Sequence, residues 1–181
     1  AIGASLLLEN GGLYVFGTDY RAFPRILPNH QFKFFGGDVT ITSYQLLILG
    51  VTLVMMLVLQ YIVQYTKVGK AMRAVSWDQD AARLMGINVD NTISITFAIG
   101  SAFAAVAGVL LGLYYNTVYP LMGIMPGLKA FIAAVLGGIG LIPGAFTGGF
   151  LLGIVEALVG GYWSTEWRDP FVFAILILIL I

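Results

Sequence analysis

The stretch 41–65, which reads ITSYQLLILGVTLVMMLVLQYIVQY, decides the fold class of this chain. It holds no charged residue in 25 positions. A helix rises about 1.5 Å per residue, so this length crosses the roughly 30 Å of hydrocarbon in a bilayer. Tyr61 and Tyr65 lie near its end, where aromatic side chains suit the membrane–water interface. The stretch therefore predicts a transmembrane helix.

The composition of the whole chain points the same way. Hydrophobic residues make up 59% of the 181 residues, and charged residues make up 10%. A soluble domain carries roughly 25% charge, so lipid must cover much of this surface. The formal net charge of zero argues against a nucleic-acid-binding protein. The absence of cysteine excludes a disulfide framework, cysteine-ligated zinc and iron–sulfur clusters.

Further apolar segments surround this stretch. Residues 92–113 predict a second full span. Residues 126–139 are too short to cross a bilayer alone, so we expect a half-helix or one arm of a tight helical turn with 144–162, broken at 140–143. The predicted fold is all-α: a polytopic transmembrane helical bundle, one membrane domain over 1–181. The other apolar segments are the end of a helix at 1–16, interrupted by Glu9, Asn10, Gly11 and Gly12, and a last span from Phe171.

Both ends of the sequence lie inside apolar runs. No initiator Met and no secretory signal are recognisable. We therefore expect a piece of a longer membrane protein, with at least one further helix before it.

The basic residues set the expected orientation. Four of the nine Lys and Arg residues lie in the stretch 66–90, which the positive-inside rule places in the cytoplasm. The loops 18–40, 114–125 and 161–170 then face outside, the last with Trp163 and Trp167 at the interface. Loop 18–40, where short strands are expected around 32–35 and 39–42, weakens the bias with Arg21, Arg25 and Lys33.

The cytoplasmic stretch 66–90 predicts two short helices, at 69–75 and 79–85. Asp78 can cap the start of the second, Asp80 suits its first turn, and Gly86 suits the position after its end. Its small and apolar residues lie outside the membrane, and such a face needs a partner. That partner is a groove on another protein, the chain's own bundle or lipid headgroups. The residues of this face are Ala81, Ala82, Leu84 and Met85.

Small residues recur every four positions in two predicted spans. In lipid, such faces let helix backbones approach closely. They predict internal packing of the bundle, or alternatively a pore wall or a sliding surface. The positions are Gly100, Ala104, Gly108 and Gly112 in one span, and Gly149, Gly153, Ala157 and Gly161 in the other.

Glu156 is the informative charge, because a carboxylate inside an apolar run should face protein or water. It either lines a pathway or makes a structural hydrogen bond. Lys129 could pair with it, but we favour Lys129 extending to the outer interface. His30 lies in the outer loop without partners for a metal site, which needs several ligands, so no metal site is predicted.

The segment 80–86, DAARLMG, resembles the Glu-Ala-Ala-x-x-x-Gly coupling motif of ABC importer permeases, with Asp in place of Glu. Longer strings are more specific, and they are similar to the high-affinity branched-chain amino acid ABC transporter permease family, more to its H-type subunit than to its M-type partner. Relative to that family, the N-terminal spans and an Arg-Pro-x-Gly tail are not in the sequence. The strings are GKAMRAV at 69–75, DAARLMGINVD at 80–90, TFAIGSAFAAVAGVL at 96–110 and GLKAFIAAVLGGIGLIPGAFTGGFLLGIVEAL at 127–158.

The resemblance implies a permease subunit of an ATP-driven importer for branched-chain or other hydrophobic amino acids, in the bacterial inner membrane. It implies a second, M-type permease subunit, two cytoplasmic ATPase subunits and a periplasmic or lipid-anchored substrate-binding protein as partners. The chain would be no enzyme and bind no cofactor, with ATP and Mg²⁺ on the ATPases. The coupling helix would consist of Asp78, Asp80, Ala81, Ala82, Arg83, Leu84 and Gly86.

The sequence is also compatible with other functions. The same helices could carry urea or short amides. A stand-alone channel or secondary carrier is a second alternative, favoured only by the short segment 126–139. A membrane enzyme is the weakest, since it needs clustered polar residues within the spans and only Glu156 qualifies.

Overall fold

A computed structural model describes residues 2–24, 31–34 and 39–180 of the chain. Helices dominate these residues, and the predicted all-α, polytopic membrane fold is confirmed. The helices are α1 (Ile2–Phe16), α2 (Ser43–Tyr65), α3 (Lys67–Trp77), α4 (Gln79–Leu84), α5 (Val89–Tyr115), α6 (Ile124–Leu136), α7 (Ile142–Tyr162) and α8 (Arg168–Leu180). The strands are β1 (Arg21–Ala22), β2 (Gln31–Phe34), β3 (Val39–Thr42) and β4 (Thr117–Val118).

Three helices of the described residues are long and apolar enough to cross a membrane: α2, α5 and α7. They contain 23, 27 and 21 residues. The helix α6 contains 13 residues and is therefore only about 20 Å long. It is shorter than a span, as expected from the sequence.

The chain divides into two compact units, Ala1–Pro120 and Leu121–Ile181. In the first unit, α3 packs against α2 and α5. Two antiparallel ribbons complete it, β2 with β3 and β1 with β4. In the β1–β4 ribbon Arg21 stands opposite Val118, and the rings of Tyr20 and Tyr119 lie 4.9 Å apart beside it. This ribbon ties the segment after α1 to the end of α5.

The second unit is a three-helix arrangement of α6, α7 and α8. Ile132, Ala133, Leu152 and Val172 form its buried core. The turn between α6 and α7 uses Gly138 and Gly140 with φ of 91° and 95°, a backbone region that favours glycine. The α6–α7 pair is therefore a tight helical hairpin.

Glycines set the distance between the two arms of this hairpin. A Cβ atom added to Gly137 or Gly144 would collide with the backbone of the opposite arm, and one added to Gly148 would collide with the carbonyl of Ala133. Backbone contact of this kind replaces the hydrophobic effect between helices in lipid. Among the described glycines of this unit, these three, and not the recurring set in the sequence, make the close backbone-to-backbone approaches.

The first and last helices differ from the sequence-based expectation. The first helix runs unbroken through Gly11 and Gly12, where the sequence left a break open. The last helix begins at Arg168 instead of Phe171, after a 3₁₀ turn at Thr165–Trp167. The short strands expected in the outer loop are confirmed as β2 and β3. His30 and Arg25 lie outside the described residues, and the single-domain assignment stays a prediction.

Candidate functional site

The segment after α2 consists of two short helices, α3 and α4. We call residues 66–88 the coupling segment, after the motif that their sequence resembles. A single residue, Thr66, separates α2 from α3 and caps both. Its hydroxyl donates to the carbonyl of Ile62 in α2 and accepts from the N–H of Gly69 in α3 at 3.1 Å. The two helices expected in this stretch are confirmed, and α3 is longer than 69–75.

Local hydrogen bonds define both ends of α4. The carboxylate of Asp78 accepts from the backbone N–H groups of Asp80 and Ala81 at 2.9 and 3.1 Å, as expected of an N-cap. At the other end Gly86 has φ of 82°. The N–H of Gly86 donates to the carbonyl of Arg83, and that of Ile87 donates to the carbonyl of Ala82. This pair of bonds is the Schellman ending, which satisfies the last carbonyls of a helix.

One face of α4 is seated on the protein. Ala82 is 3% exposed and lies in a small buried cluster with Val75 of α3 and Val89 of α5. Ala74 and Ile87 pack against this cluster. The position of α4 is therefore fixed by packing as well as by its caps.

Much of the rest of the coupling segment is exposed. Trp77, Leu84 and Met85 are 93%, 89% and 83% exposed. Arg83 and Asp80 form an ion pair at 3.5 Å whose side chains are also largely exposed, and such a pair contributes little to stability. Ala81 is exposed on the same helix. On helices too short to cross a membrane, exposed apolar side chains of this size need a covering surface, which is another protein or lipid headgroups.

The recurring small residues mostly lie open. A Cβ atom added to Gly100, Gly108 or Gly153 would meet no heavy atom within 4 Å, whereas Gly149 lies beside the side chain of Ala133. Ala104, Ala157 and Gly161 are exposed. Gly112 is buried against Phe23 and Val118. Their role in packing or in a pathway stays a prediction.

Lys129 joins three helices of the second unit. Its ammonium lies 2.9 Å from Glu156 of α7 and 2.7 Å from Asp169 of α8. Of the two expectations for Lys129, the structure shows the pairing and not the free extension to the interface that we favoured. The reason is a second carboxylate, Asp169, which the sequence places in a distant segment. We call these three residues the ion triad.

The ion triad sits on the apolar core of its unit. Lys129 precedes Ile132 and Ala133 by one helical turn, Glu156 follows Leu152 by one turn, and Asp169 precedes Val172 by one turn. Residues three and four apart share a helix face. The triad is therefore a polar layer between the three helices, and the side chains of Lys129 and Glu156 are 28% and 26% exposed.

The described residues hold no cluster of three or more His, Cys, Asp or Glu side chains that could bind a metal ion. The ion triad has two carboxylates, and Lys129 already neutralises part of their charge. The candidate functional site is the exposed part of the coupling segment.

Comparisons of the sequence with known proteins identify a family for this chain. A family model described as the branched-chain amino acid transport system / permease component matches residues 2–180. The high-affinity branched-chain amino acid transport system permease protein LivH of Escherichia coli K12 is 46% identical over 186 residues, covering the whole chain. The permease protein BraD of the corresponding system of Pseudomonas aeruginosa is 42% identical over 183 residues, again covering the whole chain.

A more distant match concerns a different solute. The xylose transport system permease protein XylH of Escherichia coli K12 is 33% identical over 97 residues, which cover half of this chain and 25% of that protein. The chain spans 59% of the length of LivH and 60% of the length of BraD. No solved structure matches the chain.

Proposed function

The chain belongs to the branched-chain amino acid transport system permease family, and we propose that it is a permease subunit of an ATP-driven importer. The substrates are branched-chain or other hydrophobic amino acids, which an external binding protein delivers. The chain is a multi-pass membrane protein, and we place it in the bacterial cytoplasmic membrane. Its expected resemblance to the family is confirmed, and the residues that make the match include the coupling segment.

The exposed part of the coupling segment supports this function. An importer of this kind needs a surface outside the bilayer that a motor protein can hold. Trp77, Leu84 and Met85 supply exposed apolar groups, while Ala82 fixes α4 to the spans. In this proposal α4 lies in a cleft of a cytoplasmic ATPase subunit.

The binding of α4 in an ATPase cleft suggests how ATP drives transport. ATP binding closes the ATPase dimer and moves the two coupling helices that it holds, one from this chain and one from a second, M-type permease subunit. Because α4 is packed on α3 and α5, its displacement moves the spans joined to it. The binding free energy of ATP thereby shifts the permease between two packings, one open to each side.

ATP and Mg²⁺ belong to the ATPase subunits in this proposal. The sequence has no glycine-rich phosphate loop of the Walker type. The chain itself holds and positions the motor subunits and lines part of the pathway, and it has no catalytic residue of its own.

Branched-chain amino acids are favoured over other solutes by the extent of the matches. LivH and BraD, which are named for branched-chain amino acids, match the whole chain, whereas the xylose permease matches half of it. Urea and short amides remain the alternative within the superfamily, because the side chains along the pathway decide the solute.

Reconstitution tests the proposal. The full-length permease, its M-type partner, the ATPase subunits and the binding protein would be placed in liposomes with labelled leucine or labelled urea. We expect leucine uptake that requires ATP and the binding protein. Uptake by the permease alone would instead establish a channel or secondary carrier, and uptake of urea but not leucine would establish the amide alternative.

A further inference from the structure

The segment GKAMRAV, residues 69–75, has a structural role that the docking of α4 does not explain. It forms most of α3, the helix between the long span α2 and the exposed helix α4. Gly69 and Arg73 of this segment contact the last turn of α2, and so does Thr66 just before it. We call Thr66, Gly69 and Arg73 the elbow.

Gly69 is buried at the point where α3 crosses the end of α2. A Cβ atom added there would overlap the backbone carbonyl groups of Ile62 and Val63. Gly69 lies within the helix α3 and its φ is not positive, so other residues also adopt its backbone conformation. The position therefore needs glycine for close approach and not for flexibility.

The elbow also satisfies carbonyl groups that the end of a helix leaves without intrahelical donors. The carbonyl of Ile62 accepts from the N–H and the hydroxyl of Thr66. The carbonyl of Val63 accepts from the guanidinium of Arg73, ten residues further along the chain. A hydrogen bond from a charged donor is among the stronger ones in proteins.

The other end of α3 is fixed as well. Val75 lies in the buried cluster with Ala82 of α4 and Val89 of α5. Backbone contact and hydrogen bonds thus hold α3 to α2, and apolar packing holds it to α4 and α5. No stretch of free loop lies between α2 and α3, because Thr66 alone separates them.

We propose that the elbow makes α2 and the coupling segment one rigid body, in which Gly69 and Arg73 are positioning residues. A displacement of α4 then moves the cytoplasmic end of α2 instead of bending the α2–α3 junction. The transport consequence rests on the proposed function, whereas the rigidity can be measured without it. A glycine hinge at the same place would instead let the α2–α3 junction bend.

Distance measurement tests the rigidity in the permease complex without ATPase. The chain has no native cysteine, so cysteines introduced at Val54 of α2 and Trp77 of α3 can carry two spin labels. We expect a single narrow distance distribution, which Gly69→Ala shifts and Arg73→Met broadens. Gly50→Ala and Lys70→Met are the matched controls: a Cβ atom at Gly50 meets nothing within 4 Å, and Lys70 is exposed.

The distributions decide between an elbow and a hinge. A broad wild-type distribution that Gly69→Ala narrows would establish a hinge and overturn the proposal. Identical distributions in the wild type, Gly69→Ala and Arg73→Met would overturn it too. Arg73→Met adds no bulk at the crossing, so it gives an answer even where Gly69→Ala prevents insertion.

Transport coupling is the second readout. In the complete transporter we expect Gly69→Ala and Arg73→Met to bind the ATPase subunits as the wild type does. The ATP consumed per leucine should rise by about fivefold, the low end of typical coupling between protein sites. An unchanged ratio would overturn the coupling role of the elbow. A wild-type chain that binds no ATPase would overturn the proposed function, while the distance measurement would still decide the rigidity.

Discussion

The ammonium of Lys129 lies 2.9 Å from a carboxylate oxygen of Glu156, and this ion pair joins the short helix α6 to the span α7. Asp169 adds a second carboxylate at 2.7 Å from the start of α8. The short helix is thereby held at a polar layer as well as by its glycine contacts. Glu156 is an isolated charge within an apolar run of the sequence, but in the folded chain it belongs to a group of three charged residues.

Replacing the lysine should weaken this unit. In Lys129→Met, the carboxylates of Glu156 and Asp169 would face each other without a cation. We expect a loss of about 1–3 kcal/mol in unfolding free energy, between values for exposed and buried pairs. Thermal unfolding of the purified permease complex measures it. Lys70→Met, at an exposed lysine, is the control, and equal melting temperatures for both variants would contradict the role of the triad.

Disrupting α4 should separate the permease from its motor. In Asp80→Lys with Gly86→Trp, the lysine reverses a charge in the first turn, and tryptophan is strained at the positive φ of Gly86. We expect the ATPase subunits to be lost in a pull-down while the helices remain inserted. Glu9→Lys with Gly12→Trp makes the same exchanges in α1, where a Cβ atom at Gly12 has open space. Undiminished association of the ATPase with the α4 variant would remove the coupling assignment.

The cap of α4 should matter separately from its surface. Asp78→Ala removes two hydrogen bonds to backbone N–H groups, which costs about 1 kcal/mol. Since α4 has six residues, we expect faster hydrogen exchange at the amides of Ala81 and Ala82. Asp78→Ser keeps a capping oxygen and should exchange nearly as slowly as the wild type. Equal exchange in the alanine and serine variants would mean that packing alone holds α4.

The orientation of the coupling segment can be read by chemical labelling. Because the chain has no native cysteine, Trp77→Cys provides one thiol at an exposed position. We expect a membrane-impermeant maleimide to modify it in inside-out vesicles and not in intact cells. Tyr20→Cys, on the exposed side chain beside the β1–β4 ribbon, should react in the reverse pattern. Labelling of the Trp77 position in intact cells would invert the topology and remove the transporter proposal.

Hydropathy and local signals predict much of this fold. The charge-free stretch becomes α2, and Asp78 and Gly86 delimit α4 as their capping preferences indicate. Hydropathy and helix capping depend on residues that are close together in the sequence, so they can be predicted from it. Gly11 and Gly12 left a break in the first helix open, and the helix runs through them because glycine lowers helix propensity without forbidding a helix.

The contacts between helices are much less predictable. Spacing drew attention to Gly149 and Gly153, yet the backbone contacts of α7 are made by Gly144 and Gly148. Which face of a helix meets its neighbour depends on crossing angle and on the turn before it, and a four-residue repeat encodes neither. The pairing of Asp169 with Lys129 is hard to predict for a related reason: the two residues lie 40 positions apart, and only the packing of α8 brings them together.

The glycine contacts between α6 and α7 also bear on how the protein is made. A helix of 13 residues is a poor candidate to enter the bilayer from the translocon by itself. Pressed backbone to backbone against α7, it can enter as half of a preassembled pair. During synthesis, α6 would then remain at the membrane surface until the ribosome has released most of α7. The two helices would enter the bilayer together.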